Sequence, residues 1–210
     1  MKTLFLSSLI LFCVVIAYTN KKHSKIEEKF KKDFWDREAK ANSTRRKPLD
    51  NLDYISIPLD KLPTNTMTED TKVQEILDIM ESLSTVKIVN LTGFTNTDLK
   101  LEYGTANITC LSDYDANYTL LVRTLQDWAE LLFKNSFVSE AQTVLEFAVS
   151  TKTDVSHSYY LLADIYEKQG ETFKIEKLIE SAGEIRSTMK PVIVRTLQGS
   201  GPYSDWLRSE

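Results

Sequence analysis

The side chains best suited to covalent or metal chemistry are few: two histidines, His23 and His157, and two cysteines, Cys13 and Cys110. A thiolate at Cys110 with His157 as base would be the minimum for acyl transfer. Against that, Cys110 stands between Thr109 and Leu111, where a lone cysteine reads as a small apolar residue of the core. Two histidines are too few for a histidine-based zinc site. The chain also shows no glycine-rich phosphate loop, no metal-ligand cluster and no paired-acid motif. The expectation is a protein that is not an enzyme, with no catalytic residues, metal or cofactor. Cys13 lies in an apolar run, which leaves one thiol in the remainder, so no internal disulfide is expected there and the core must hold the fold together.

What the sequence does carry is a repeat. Leu125, Trp128, Ala129 and Leu132 are echoed at a spacing of 34 residues by Tyr159, Leu162, Ala163 and Tyr166, and Leu145 and Ala148 by Ile179 and Ala182. Large residues at these positions fill the space between helices, and the alanines allow close backbone approach, so helix pairs stack into a curved surface. The spacing predicts four helices over approximately 118–134, 138–150, 155–169 and 172–188, preceded by a loop at 113–117, with Gly170 in the turn of the second pair.

This segment resembles the tetratricopeptide family. Leu125-x2-Trp128-Ala129-x2-Leu132 with Ala141-x3-Leu145 forms one copy, and Tyr159-x2-Leu162-Ala163-x2-Tyr166 with Ile175-x3-Ile179 the next. It departs from the family pattern where Ile175 replaces a small residue and Thr153 the closing proline. The resemblance implies that the first helix of each pair lines a concave peptide-binding face. Arg123, Gln126, Glu130, Phe133 and Lys134, with His157, Tyr160, Asp164, Glu167 and Lys168, would line it, against the alternative of a solvated face of ordinary charge pairs. The chain as a whole also resembles small single-span bacterial membrane proteins of unassigned function, through Phe34-Trp35, Arg45-Arg46-Lys47-Pro48-Leu49-Asp50 and Tyr54.

Thr3 to Asn20 is uncharged and mostly apolar, which reads as a membrane helix or the apolar part of a secretory signal. Tyr18 and Lys21-Lys22 directly follow Val15-Ile16-Ala17, which favours a retained anchor over a cleaved signal. Lys21, Lys22, Lys25, Lys29, Lys31 and Lys32 outweigh Lys2 on the other flank, so the rule for basic flanks places the body in the cytoplasm as a single-pass protein of the cell membrane. Four Asn-x-Ser/Thr tripeptides, at Asn42, Asn90, Asn107 and Asn117, keep an exported alternative open. Of 26 basic and 30 acidic residues, 12 and 6 respectively fall within residues 1–50, leaving an acidic body of 14 against 24. Lys21, Lys22 and Lys25 would meet anionic lipid headgroups at about 1 kcal/mol each. An acidic body is a poor nucleic-acid binder, and no small-molecule substrate is evident.

Between run and repeats, a helix is expected over 25–42, an extended strap over 53–58 fenced by Pro48, Pro58 and Pro63, a helix from about 69 to 83, and a short helix opened by Thr95 and closed by Gly104. The expected fold is all-α: a transmembrane helix followed by a tetratricopeptide-like α-solenoid with a short extended strap. Its parts are an anchor (1–20), a basic juxtamembrane helix and strap (21–68), leading capping helices (69–117), two repeats (118–190) and a C-terminal cap and tail (191–210). The expected function is a membrane-tethered, non-catalytic adaptor for a polypeptide partner, with an exported envelope accessory as the alternative.

Overall fold

The computed structural model describes residues 2–200, with the side chains of 2–11, 13–15, 17, 20, 26 and 200 outside that description. Most of the anchor's side chains and the tail 201–210 therefore lie outside the described residues. The helices are α1 (Lys2–Asn42), α2 (Thr71–Ser84), α3 (Asn96–Tyr103), α4 (Ile108–Lys134), α5 (Val138–Ser150), α6 (Ser156–Gln169), α7 (Thr172–Glu184) and α8 (Lys190–Arg195). Among the described residues there is no strand, only an isolated antiparallel bridge between Tyr54 and Val89. All-α is thus the observed class.

Two expectations about the N-terminal region need correction. Among the described residues, no helix is long and apolar enough to cross a membrane. This overturns the transmembrane helix, the single-pass location in the cell membrane and the cytoplasmic placing built on them. The run Thr3–Asn20 is the leading part of a 41-residue helix, α1, whose remainder carries Lys21, Lys22, Lys25, Lys29, Lys31 and Lys32. The second correction is continuity. No proline or glycine interrupts residues 2–42, so the helical bonding runs straight through the expected boundary at 20.

The chain divides into two compact units, Met1–Pro48 with Thr95–Ile108, and Leu49–Phe94 with Thr109–Glu210. In the first, the end of α1 packs on α3. Thr95 caps α3, its hydroxyl accepting from the Asp98 amide while the Asp98 carboxylate accepts from the Thr95 amide, a reciprocal capping box. Arg37 then reaches Asp98 at 2.5 Å, and Thr97 donates to Glu38. Gly104 has φ +88° and sits so close to Arg45 that a β-carbon would lie 2.2 Å from its carbonyl oxygen, so only glycine fits.

In the second unit, Asp70 caps α2 by accepting from the amides of Lys72 and Val73. The strap crosses this unit by donating from the Ile55 amide to the Ile88 carbonyl at 2.9 Å and by packing Ile55, Ile57 and Leu59 on the core. The expected loop at 113–117 is instead helical within α4. Its loop-favouring side chains bond elsewhere: Asp115 accepts from the Leu91 amide and Asn117 donates to the Lys87 carbonyl. They therefore do not compete with their own backbone. α7 stops at Glu184 rather than 188, because Ile185 turns extended and buries itself in the core.

The period is visible in the backbone. α5 and α7 are each 13 residues long and begin at Val138 and Thr172, 34 apart. In the turns before them, the Ser136 amide donates to the Phe133 carbonyl and the Phe137 amide to that of Leu132; the same bonds recur from Gly170 to Glu167 and from Glu171 to Tyr166. Ser136 and Gly170 are both left-handed, with φ +68° and +74°. Leu125, Trp128, Ala129, Leu132, Leu145, Ala148, Tyr159, Leu162, Ala163, Tyr166 and Ala182 are all buried. In the second pair Leu178 is buried while Ile179 is half-buried.

Candidate functional site

The ten residues singled out for a binding face fall into three sets. Gln126 is buried; its amide donates to Glu130 Oε1 at 2.7 Å, and its oxygen accepts from the Ser158 hydroxyl at 2.6 Å. His157 Nδ1 stands 3.6 Å from the same Glu130 oxygen. Together these tie α4 to α6. One turn further on, Lys168 donates to the buried Asp164 carboxylate at 2.8 Å, and its ammonium lies 5.5 Å from the centre of the Phe133 ring. Arg123, Lys134 and Glu167 are exposed and Tyr160 is half-buried. Gln126 thus bonds across from α4 to α6, Asp164 pairs within α6, and Arg123, Lys134 and Glu167 stand exposed at the rim.

The sequence reading missed the neighbouring wall. A groove of about 500 Å³ runs between α2 and α4, with Ile76, Ile79, Thr124 and Leu131 on its floor and Lys72, Glu75, Asp127, Glu130 and Lys134 on its rim. Asp127, Leu131 and Lys134 recur at helical spacing on α4, and that was the available signal. Assigning α2 to a capping role hid its contribution.

A second cavity, of about 430 Å³, lies between the strap and the ends of α5 and α7. Four of its lining residues, Lys152, Glu184, Asn90 and Arg186, are already engaged. Lys152 pairs with Glu184 at 3.2 Å, Asn90 donates to Tyr118 and to the carbonyls of Thr151 and Lys152, and Arg186 lies over the Phe94 ring at 4.9 Å. Asn90, with its amide so engaged, and the fully buried Asn107 are structural residues.

Cys110 is half-buried rather than buried. A hydrogen bond with it, then burial, pushes the Tyr114 hydroxyl up to about 12, whereas His157 faces Glu130. Among the described residues no group of three His, Cys, Asp or Glu side chains is placed to hold a metal ion. Lys21, Lys22 and Lys25 are exposed on α1. Comparison of the chain with protein-family models, curated proteins and solved structures finds no match.

Proposed function

We propose that this protein is a non-catalytic polypeptide-binding module built on a tetratricopeptide-like helical repeat. The observation that carries the reading is the recurrence at 34 residues of the same turn bonds and the same helix length. Stacked pairs of this kind leave their first helices side by side on one face. Here that face holds the Gln126–Glu130–His157 network beside an apolar-floored groove with charged edges, the composition suited to an amphipathic helix or extended segment. Side chains already locked by mutual hydrogen bonds lower the ordering cost of binding.

The test is a peptide array probed with the purified chain. Selective retention of a subset of peptides is expected, reduced about tenfold or more by the combined variant Arg123→Ala, Lys134→Ala and Glu167→Ala. These residues are exposed, so the helical circular-dichroism signal should be unchanged. Retention that is unselective, or indifferent to the triple variant, would refute the proposal.

A further inference from the structure

The repeat does not stop at α7. α6 and α8 begin at Ser156 and Lys190, 34 residues apart, and Tyr159, Leu162 and Ala163 are followed at the same spacing by Ile193, Thr196 and Leu197, all buried. α8 with the turn Thr196–Ser200 is thus the first helix of a third pair, packed on α6 and α7. α7 itself is covered less than α5, and on one side only. Its core positions Leu178 and Ala182 are as buried as their counterparts Val144 and Ala148 in α5. On the next stripe the match fails. Ala141 and Leu145 are buried where Ile175 and Ile179 are half-buried, and Gln142 and Val149 are half-buried where Glu176 and Gly183 are exposed. In α5 this stripe faces the following pair: Val149 lines the cleft between α5 and α7, and Gln142 accepts from Gln169 of α6. An apolar stripe covered in one copy and open in the next lacks the layer that stacking supplies.

The sequence beyond the turn has the features of that layer. Gly199 is left-handed at φ +79°, as Ser136 and Gly170 are, and after each of those two the next helix begins two residues on, at Val138 and Thr172. The same interval after Gly199 gives Gly201-Pro202, and proline suits the first turn of a helix. Tyr203, Trp206 and Leu207 then recur at i, i+3 and i+4 on one helical face, with Asp205 and Arg208 on the other. Counted from the helix start, these three stand where Lys174, Lys177 and Leu178 stand in α7, the residues that line its cleft with α5.

We infer that residues 202–210 dock on the stripe of Ile175 and Ile179 as the second helix of a third pair, with Tyr203, Trp206 and Leu207 against α7. Nine helical residues extend about 13 Å, and the stripe from Ile175 to Gly183 runs about 12 Å, so the segment is long enough to cover it. Three pairs are also the number at which such arrays become stable on their own. The inference rests on the repeat architecture within the proposed function and is independent of peptide capture.

The test uses the full chain with Trp206→p-benzoylphenylalanine, irradiated in a mixture of isotopically light and heavy copies. Cross-links within single copies, from position 206 into residues 172–183, are expected. Hydrogen exchange gives a second reading: Trp206→Ala with Leu207→Ala should speed exchange of the α7 amides about tenfold, and Ile179→Asp should do the same for residues 203–210. Unchanged exchange in α4 and α5 shows that neither variant has unfolded the repeats. Cross-links to other surfaces or only between copies, no cross-link, or exchange indifferent to both variants would overturn the inference. A docked tail in a chain whose peptide array shows no selection leaves this inference standing and removes the binding; selective retention with an undocked tail does the reverse.

Discussion

Asn107 shows how much of the first unit depends on one side chain. It is fully buried, donates to the carbonyls of Lys47 and Tyr103 at 2.8 and 2.7 Å, and accepts from Arg46 Nε at 2.9 Å. Asn107→Ala removes three hydrogen bonds at once. It is expected to destabilise this unit by about 3 kcal/mol, read as faster hydrogen exchange in α3. The sequence marked this residue only as a glycosylation tripeptide, because two of its three partners, Arg46 and Lys47, lie 61 and 60 positions away. Leu125 is the opposite case. Its burial was legible from the repeat pattern, and Leu125→Ala is expected to cost about 3 kcal/mol in urea denaturation.

At the scale of the elements, the two repeat turns offer an internal control. Both require a left-handed residue; Gly170 meets the need without strain, while Ser136 carries a β-carbon into it. Ser136→Gly is expected to raise stability by about 1 kcal/mol, and Gly170→Ala to lower it by a similar amount; thermal melts that moved the other way would deny the equivalence of the turns. The α3 cap gives a pH-dependent counterpart. Hydrogen bonds from Thr95, then the charge of Arg37, hold the Asp98 carboxyl below its ordinary value, and Thr97 followed by Lys100 does the same for Glu38. Groups lowered in the folded state add stability that is present above their unfolded values and is lost as pH falls through the folded ones. Acidification should therefore loosen α3, and Asp98→Asn should flatten that dependence in hydrogen exchange followed between neutral pH and pH 3. The capping box was readable from Thr95 and Asp98, since its bonds span three residues. The helical path through 113–117 was not, because residues 87–91 satisfy the polar groups that suggested a loop.

For the whole molecule, the buried tyrosines predict the alkaline limit. Burial pushes the Tyr118 hydroxyl from 10.0 up to about 12, and Tyr159 and Tyr166 are also raised chiefly by burial. A raised folded value means stability that is complete below the unfolded value and lost as pH rises through the folded one. Unfolding free energy should therefore decline from about pH 10 toward 12, less steeply in Tyr118→Phe; an unchanged slope in denaturant titrations would remove Tyr118 from the cause. On this scale sequence and fold divide the information cleanly. The sequence by itself determined the all-helical class, the 34-residue period, the strap and the α3 cap, because each is written in contacts within a few residues or in a pattern that repeats. It did not foretell a single helix from Lys2 to Asn42 or the groove wall supplied by α2, and its ten face residues were named without distinguishing Gln126, which bonds across from α4 to α6, and the buried Asp164 from those exposed at the rim. Those were decided by tertiary structure: pairings such as Gln126 with Ser158, 32 residues apart, and α2 with α4 form only when distant elements pack, and a one-dimensional pattern records which residues are apolar but not which helix they will meet.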